Sequence, residues 1–269
     1  MHAFDRFITA VQLGADLDRG SAERVAQAVL TTLSERLSGG QADDLAQQLK
    51  PPDGFLPGTA TLRNRQAESF ELDEFLRRVA GREQADEDAA RAHTTVVLHA
   101  LRLVVPSTEV EDAVAQLPAD FAGLLSSPWR SQRPVSAGRD LVQLVTARGG
   151  PDGQEARRVT EGVLEVLAER LPDREVGALA QQLPDDLRPA LERGRAARTA
   201  PRRLTAEAFL EVLAERLQTD PLQAREHARA VLSALVEVVD DALLAGLLTE
   251  LPDDYADLLV PRRSPAGSG

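Results

Sequence analysis

A Val-Leu pair recurs four times along this chain, at Val29-Leu30, Val97-Leu98, Val163-Leu164 and Val231-Leu232, spaced 68, 66 and 68 residues apart. A second leucine follows each pair: Leu49, Leu117, Leu183 and Leu251 come 19 residues after the first every time. An interval held constant over four copies marks a repeated supersecondary unit, and it constrains the fold more than any single motif. The copy from Arg158 to Leu187, RVTEGVLEVLAERLPDREVGALAQQLPDDL, shows the unit in full: an amphipathic helix, a tight turn, a shorter helix and a Pro-Asp-Asp exit.

The copies alternate in kind. Copies one and three share Glu-Arg-Leu and Leu-Ala-Gln-Gln-Leu, at Glu35 to Leu37 with Leu45 to Leu49, and at Glu169 to Leu171 with Leu179 to Leu183. Copies two and four share Ala-Arg-x-His ahead of the Val-Leu pair, at Ala90 to His93 and Ala224 to His227, and an aromatic residue after the exit acid, Asp120-Phe121 and Asp254-Tyr255. The unit is therefore a pair of unlike halves duplicated in tandem. This organisation predicts two domains, at residues 1–130 and 135–262, and a disordered tail at 263–269.

Each copy opens with a short helix, predicted over Phe4 to Leu13, Leu72 to Val79, Leu141 to Ala147 and Ala206 to Leu217, because apolar residues recur there at three and four. Cap chemistry precedes the long helices: Ser21, Asp152 with Glu155 three residues on, and Asp220 followed by Pro221. Thr108 with Glu111 reads as a capping box for the short helix of copy two. Pro118, Pro184 and Pro252 stop the short helices, and the acids after them are placed to cap one further turn. The long-helix stripe Val159, Val163, Val166 and Leu171 faces the core, while Glu161, Glu165 and Glu169 are expected on a solvated face. Eight to ten large aliphatics per copy, at about 1.5–3 kcal/mol for each one fully buried, sustain a packed core. One copy alone would be marginal, which is a physical reason for the halves to pair.

Composition agrees with an all-α fold of tandem helical-repeat bundles, two domains each of two related three-helix halves. The apolar share is nearly all Leu, Val and Ala, and aromatic residues are only 3%, too few for a strand-rich core. The formal charge of −12 weighs against nucleic acid or an anionic membrane as the partner. The chain has no cysteine, so disulfides, thiolate zinc sites and cysteine nucleophiles are excluded. Lys50 is the only lysine beside 30 arginines, a bias that reads as a GC-rich, bacterial coding sequence. The first twenty residues carry acids and lack the basic-then-apolar order of a signal peptide, and no apolar run spans a bilayer, so a cytoplasmic location is expected.

Few residues stand outside core and cap positions. His93 and His227 fall where copies one and three place Val25 and Val159, at a core-facing or core-edge position. Their two readings are a pH-sensitive contact or ligand site, and a packed ring with one nitrogen on a carbonyl; the second is favoured, since neither has a partner at ligand spacing and no HExxH occurs. The acidic pairs Asp43-Asp44, Asp185-Asp186, Asp240-Asp241 and Asp253-Asp254 read as caps, because adjacent residues on a helix diverge by about 100° and do not converge on one ion. Trp129 lies in the join from Ser126 to Arg139, either as an exposed protein-contact anchor or, preferred here, folded back to pin the linker. A second basic join runs from Arg188 to Arg203, and its arginines are expected to meet the protein's own acidic faces. No phosphate-binding glycine loop and no serine-nucleophile motif is present.

The run VLxxLxERL followed by LAQQLPDDLRPAL resembles the DUF2267 family, best over Val163 to Leu191 and more loosely over Ala228 to Leu259, with two tandem copies covering essentially the whole chain. The copy-one exit, Lys50 to Pro57, departs from that pattern. The resemblance implies an all-helical domain of two related halves and brings no catalytic or ligand residues. The functional expectation is a non-enzymatic interaction or scaffold protein that contacts another protein through a helix groove or the Trp129 join, with no cofactor. The alternative is a ligand-binding or pH-responsive sensor with a site between paired halves, near His93 or His227.

Overall fold

The computed structural model describes residues 2–52, 55–56, 66–127, 129, 139–197 and 205–261. They form fifteen α-helices and, among the described residues, no strand. Each copy supplies an opening, a long and a short helix. The opening helices are Ala3–Ala15, Leu72–Glu83, Arg139–Ala147 and Ala206–Leu217. The long helices are Arg19–Arg36, Glu87–Val104, Gly153–Arg170 and Pro221–Val238, each of 18 residues. The short helices are Gly39–Leu49, Ser107–Ala115, Asp173–Gln182 and Asp241–Glu250. Three more, Ala122–Ser126, Arg188–Ala197 and Ala256–Leu259, follow the exits of copies two, three and four. The expected tail at 263–269, Arg63 and Arg65 in the stretch beyond the copy-one exit, and most of the Ser126 to Arg139 join lie outside the described residues.

The chain divides into two compact units that part between residues 131 and 132. Within each, every opening helix packs on both long helices, its own and that of the other half. Helix Ala3–Ala15 packs on the long helix of copy two, and helix Leu72–Glu83 on the long helix of copy one. The second domain repeats this crossing: Arg139–Ala147 reaches Pro221–Val238, and Ala206–Leu217 reaches Gly153–Arg170. The four Val-Leu pairs are buried where these helices meet, together with Phe7, Phe75, Phe121, Leu141, Phe209 and Tyr255. One half alone would therefore expose both the stripe of its opening helix and the seat for its partner's. That physical cost ties the halves together.

The helix starts differ in part from expectation. Asp18, not Ser21, caps the first long helix: its carboxylate accepts the Ser21 N–H at 3.0 Å and the Ser21 hydroxyl at 2.6 Å. Asp86, Asp220 and Asp240 accept an N–H three residues on in the same way, with Pro221 at the first helical position. Asp152 occupies the N-cap without a side-chain hydrogen bond. Helix Ser107–Ala115 starts on Pro106, so Thr108 and Glu111 lie inside it and form no capping box.

Two exit acids reach further than the next turn. Asp120 accepts the Leu72 N–H at 2.8 Å, and Asp254 accepts the Ala206 N–H at 2.7 Å. Each closes its copy by capping the opening helix 48 residues earlier. The short helices pair across the halves and are clasped by a glutamine. Gln116 of copy two accepts the Ser38 N–H at 2.9 Å, and Gln182 of copy three accepts the Asp240 N–H at 2.8 Å. The reciprocal positions are Pro106 and Pro172, which have no N–H to give.

One expectation about charge is corrected. Glu161, Glu165 and Glu169 do not form a solvated face; their side chains are half-buried, because helices Arg188–Ala197 and Ala206–Leu217 both cover that flank of the long helix. Arg193 pairs with Glu161 and Glu165, and Arg216 pairs with Glu165 at 3.2 Å and Glu169 at 2.7 Å. The basic join is in large part the helix Arg188–Ala197. Its arginines do meet the protein's own acids, Arg188 with Asp185 at 2.9 Å and Arg195 with Asp173 at 2.8 Å. Arg198, Arg202 and Arg203 lie outside the described residues. Gly194 sets the approach: a Cβ there would stand 2.0 Å from the Glu165 carbonyl oxygen and 2.9 Å from the Ala168 Cβ. Only a residue without a side chain admits so close a contact.

Candidate functional site

His93 and His227 occupy the same place on the long helices of copies two and four, and their surroundings differ. The His93 Nδ1 lies 3.0 Å from Oε2 of Glu83, the last residue of the preceding opening helix. The Glu83 side chain is 3% exposed. Sequence reading missed Glu83, since it sits ten residues away at the end of a helix dominated by other charges. The expected carbonyl partner is thus a carboxylate.

In the second domain the residue equivalent to Glu83 is Leu217. His227 is 7% exposed, and no hydrogen-bond partner reaches its Nδ1 among the described residues. The charged groups that act on it are Glu155 and Arg158, from the long helix of copy three, and Asp220 at its own helix cap. Arg158 pairs with Glu155 at 2.7 Å and donates to the Leu217 carbonyl at 3.0 Å. Burial, with Arg158 adding to it, holds the His227 imidazole below its ordinary range against the opposing pull of Glu155 and Asp220.

Trp129 is buried at 5% exposure, so it is not an exposed contact anchor. Its ring stacks on His99 at a 6.0 Å centroid separation and 6° between planes. It presses against Gly14 of the first opening helix, where a Cβ would come within 2.7 Å of the indole and 2.6 Å of Val96. The indole pins the chain after copy two to its own domain.

The departure in the copy-one exit has a structural consequence. Phe55 packs edge-on against Phe4 at 4.7 Å, and the Gln27 amide donates to the Phe55 carbonyl at 2.8 Å. With Ala3 and Pro52 these rings floor an open groove of about 550 Å³, rimmed by His2, Asp5, Arg19, Glu23 and Lys50. Arg19 bridges Asp5 at 2.6 Å and Glu23 at 2.9 Å, and its hydrogen bond to Asp5 raises its pKa further. Lys50 ends the short helix in the left-handed region, at φ 50°. The signal available in the sequence was Lys50 in the place where the other three copies put a proline directly after the closing leucine. No spacing rule turned that difference into a groove.

Other buried charges hold helices together. Glu35 is buried between Arg78 and Arg82, and its equivalent Glu169 meets Arg216. Arg170, buried at the end of its helix, donates to the Glu250 carbonyl and lies over the Tyr255 ring. Burial lowers the Arg170 pKa and raises that of the Tyr255 phenol.

No helix among the described residues is long and apolar enough to cross a membrane. The family model described as an uncharacterized conserved protein, DUF2267, matches residues 4–124 and again 138–258. No curated protein and no solved structure is significantly similar to the chain.

Proposed function

We propose that this chain, which belongs to the DUF2267 family as two tandem copies of its domain, is a non-enzymatic, cytoplasmic interaction protein that binds another protein at the groove over Phe4 and Phe55. The observation that carries this reading is the groove itself, Pro52 and Phe55 over the nearly buried ring of Phe4, inside a rim of both charge signs. Elsewhere the polar side chains described above serve caps, clasps and ion pairs between helices. An apolar floor with a charged rim is the ordinary composition of a protein-contact patch.

Affinity capture from the native host by the full chain tests this, run beside Phe55→Arg and beside Leu222→Arg, a control at an exposed leucine. The wild-type chain and Leu222→Arg are expected to recover the same partner, and Phe55→Arg to lose it. Recovery of no partner, or equal recovery by all three chains, overturns the reading.

A pH-responsive sensor is the second reading. The unlike surroundings of the two equivalent histidines favour it.

A further inference from the structure

We propose that the second domain carries an acid-triggered release seated at His227, and that the first domain lacks it because Glu83 stands where the second has Leu217. This deepens the sensor reading and is independent of the groove.

The two histidines differ in where a second ring proton can go. A neutral imidazole needs one donor and one acceptor contact, whereas an imidazolium carries two N–H donors. At His93, a proton on Nδ1 has the Glu83 carboxylate 3.0 Å away. At His227, Nδ1 is buried with no acceptor among the described residues, so the imidazolium would bury an unsatisfied, charged donor. The groups facing it do not relieve this. Glu155 is already engaged by Arg158 at 2.7 Å, and the Arg158 guanidinium is a like charge. Asp220 is engaged as the helix cap, accepting the Gln223 N–H at 3.0 Å. From helix Ala206–Leu217 the equivalent position brings a leucine, whose carbonyl is taken by Arg158. The other copies show that the position does not require histidine, since Val25 and Val159 fill it and are buried.

The direction of the effect follows. The unfolded or locally opened chain binds a proton at His227 that the closed domain refuses, so protonation favours opening. The stability that rests on neutral His227 is complete above the ordinary imidazole value of about 6.5. It is lost as pH falls from there toward the lowered value in the fold. The parts released are the long helix Pro221–Val238 and its seat on Gly153–Arg170.

Hydrogen exchange of the full chain between pH 7.5 and pH 5, corrected for intrinsic rates, tests this in wild type, His227→Val and His93→Val. Wild type and His93→Val are expected to lose protection over Pro221–Val238 by up to about tenfold per pH unit, the limit for one proton. His227→Val is expected to show a flat profile. If wild type shows no acid response in either domain, the sensor reading falls with the proposal. If a response is present and persists in His227→Val, only the assignment to His227 falls. NMR titration of the His227 ring in the wild-type chain does not depend on any variant folding. A midpoint below the free-imidazole range supports the proposal, and one at or above it overturns the proposal.

Discussion

Residues 134 apart occupy equivalent places in the two domains, and at most of them the same chemistry serves both. Asp120 and Asp254 cap opening helices at 2.8 and 2.7 Å, and Glu35 and Glu169 meet arginines of the next opening helix. The differences lie on the flanks. Glu83 faces His93 where Leu217 stands in the second domain. Phe121 is replaced by Tyr255, whose ring lies under Arg170, while the equivalent Arg36 donates instead to the Phe70 carbonyl at 3.0 Å. After copy three a helix covers the acidic stripe, whereas after copy one Phe55 walls an open groove. Packing between the halves and capping tolerate little change, because each buried polar group or apolar stripe left without its partner costs stability. The outer flank of a long helix is under no such constraint. There the two domains have become different objects.

The largest test of that contrast is Gly194→Ala. The added Cβ would meet a backbone carbonyl 2.0 Å away, and a helix backbone does not yield as a flexible side chain does. Overpacking of this kind costs about 3 kcal/mol or more where the whole helix must move out. In urea, the transition read by far-ultraviolet circular dichroism should shift to lower denaturant for the second domain. The fluorescence of Trp129, the chain's only tryptophan and a residue of the first domain, should keep its midpoint. If Gly194→Ala leaves the dichroism transition in place, the helix is not held at the close approach described.

Most of the fold was legible because burial and capping act on residue types at fixed spacing. The four Val-Leu pairs, the proline stops and the alternation of halves all follow from rules that run along the chain. What was not legible depends on contacts between distant elements. Glu161, Glu165 and Glu169 have the spacing of a solvated stripe, and nothing local announces that Arg193 and Arg216 will cover them. The arginine-rich run from Arg188 carries Leu191 and Gly194 at helical spacing, yet its composition reads as a join. For the histidines, the equivalent placement could be read. The carboxylate that separates their behaviour could not, since Glu83 is one of three acids on its helix and its last residue.

A smaller test asks whether the shared chemistry is equal in strength. Asp120→Ala and Asp254→Ala each remove the acceptor for the first N–H of an opening helix, at a cost of about 1 kcal/mol. Chemical denaturation should show similar losses in the two domains. A difference of more than about 1 kcal/mol, on the scale of the cap itself, would mean that one of the two is not a cap in solution.

The smallest effect concerns the glutamine clasp, where the domains agree in design and differ in polarity. Only one half of each domain can give the N–H, because the other half has proline there. The donor is Ser38 of copy one in the first domain and Asp240 of copy four in the second. Gln116→Ala and Gln182→Ala should each cost about 0.5–1 kcal/mol, the net worth of one partly solvated hydrogen bond. Gln48, the copy-one equivalent of Gln116, stands across from Pro106 and is exposed, so Gln48→Ala should be neutral in the same urea titration. A loss at Gln48 equal to that at Gln116 would show that these glutamines act through helix propensity or packing. The directional clasp between halves would then be the feature to abandon.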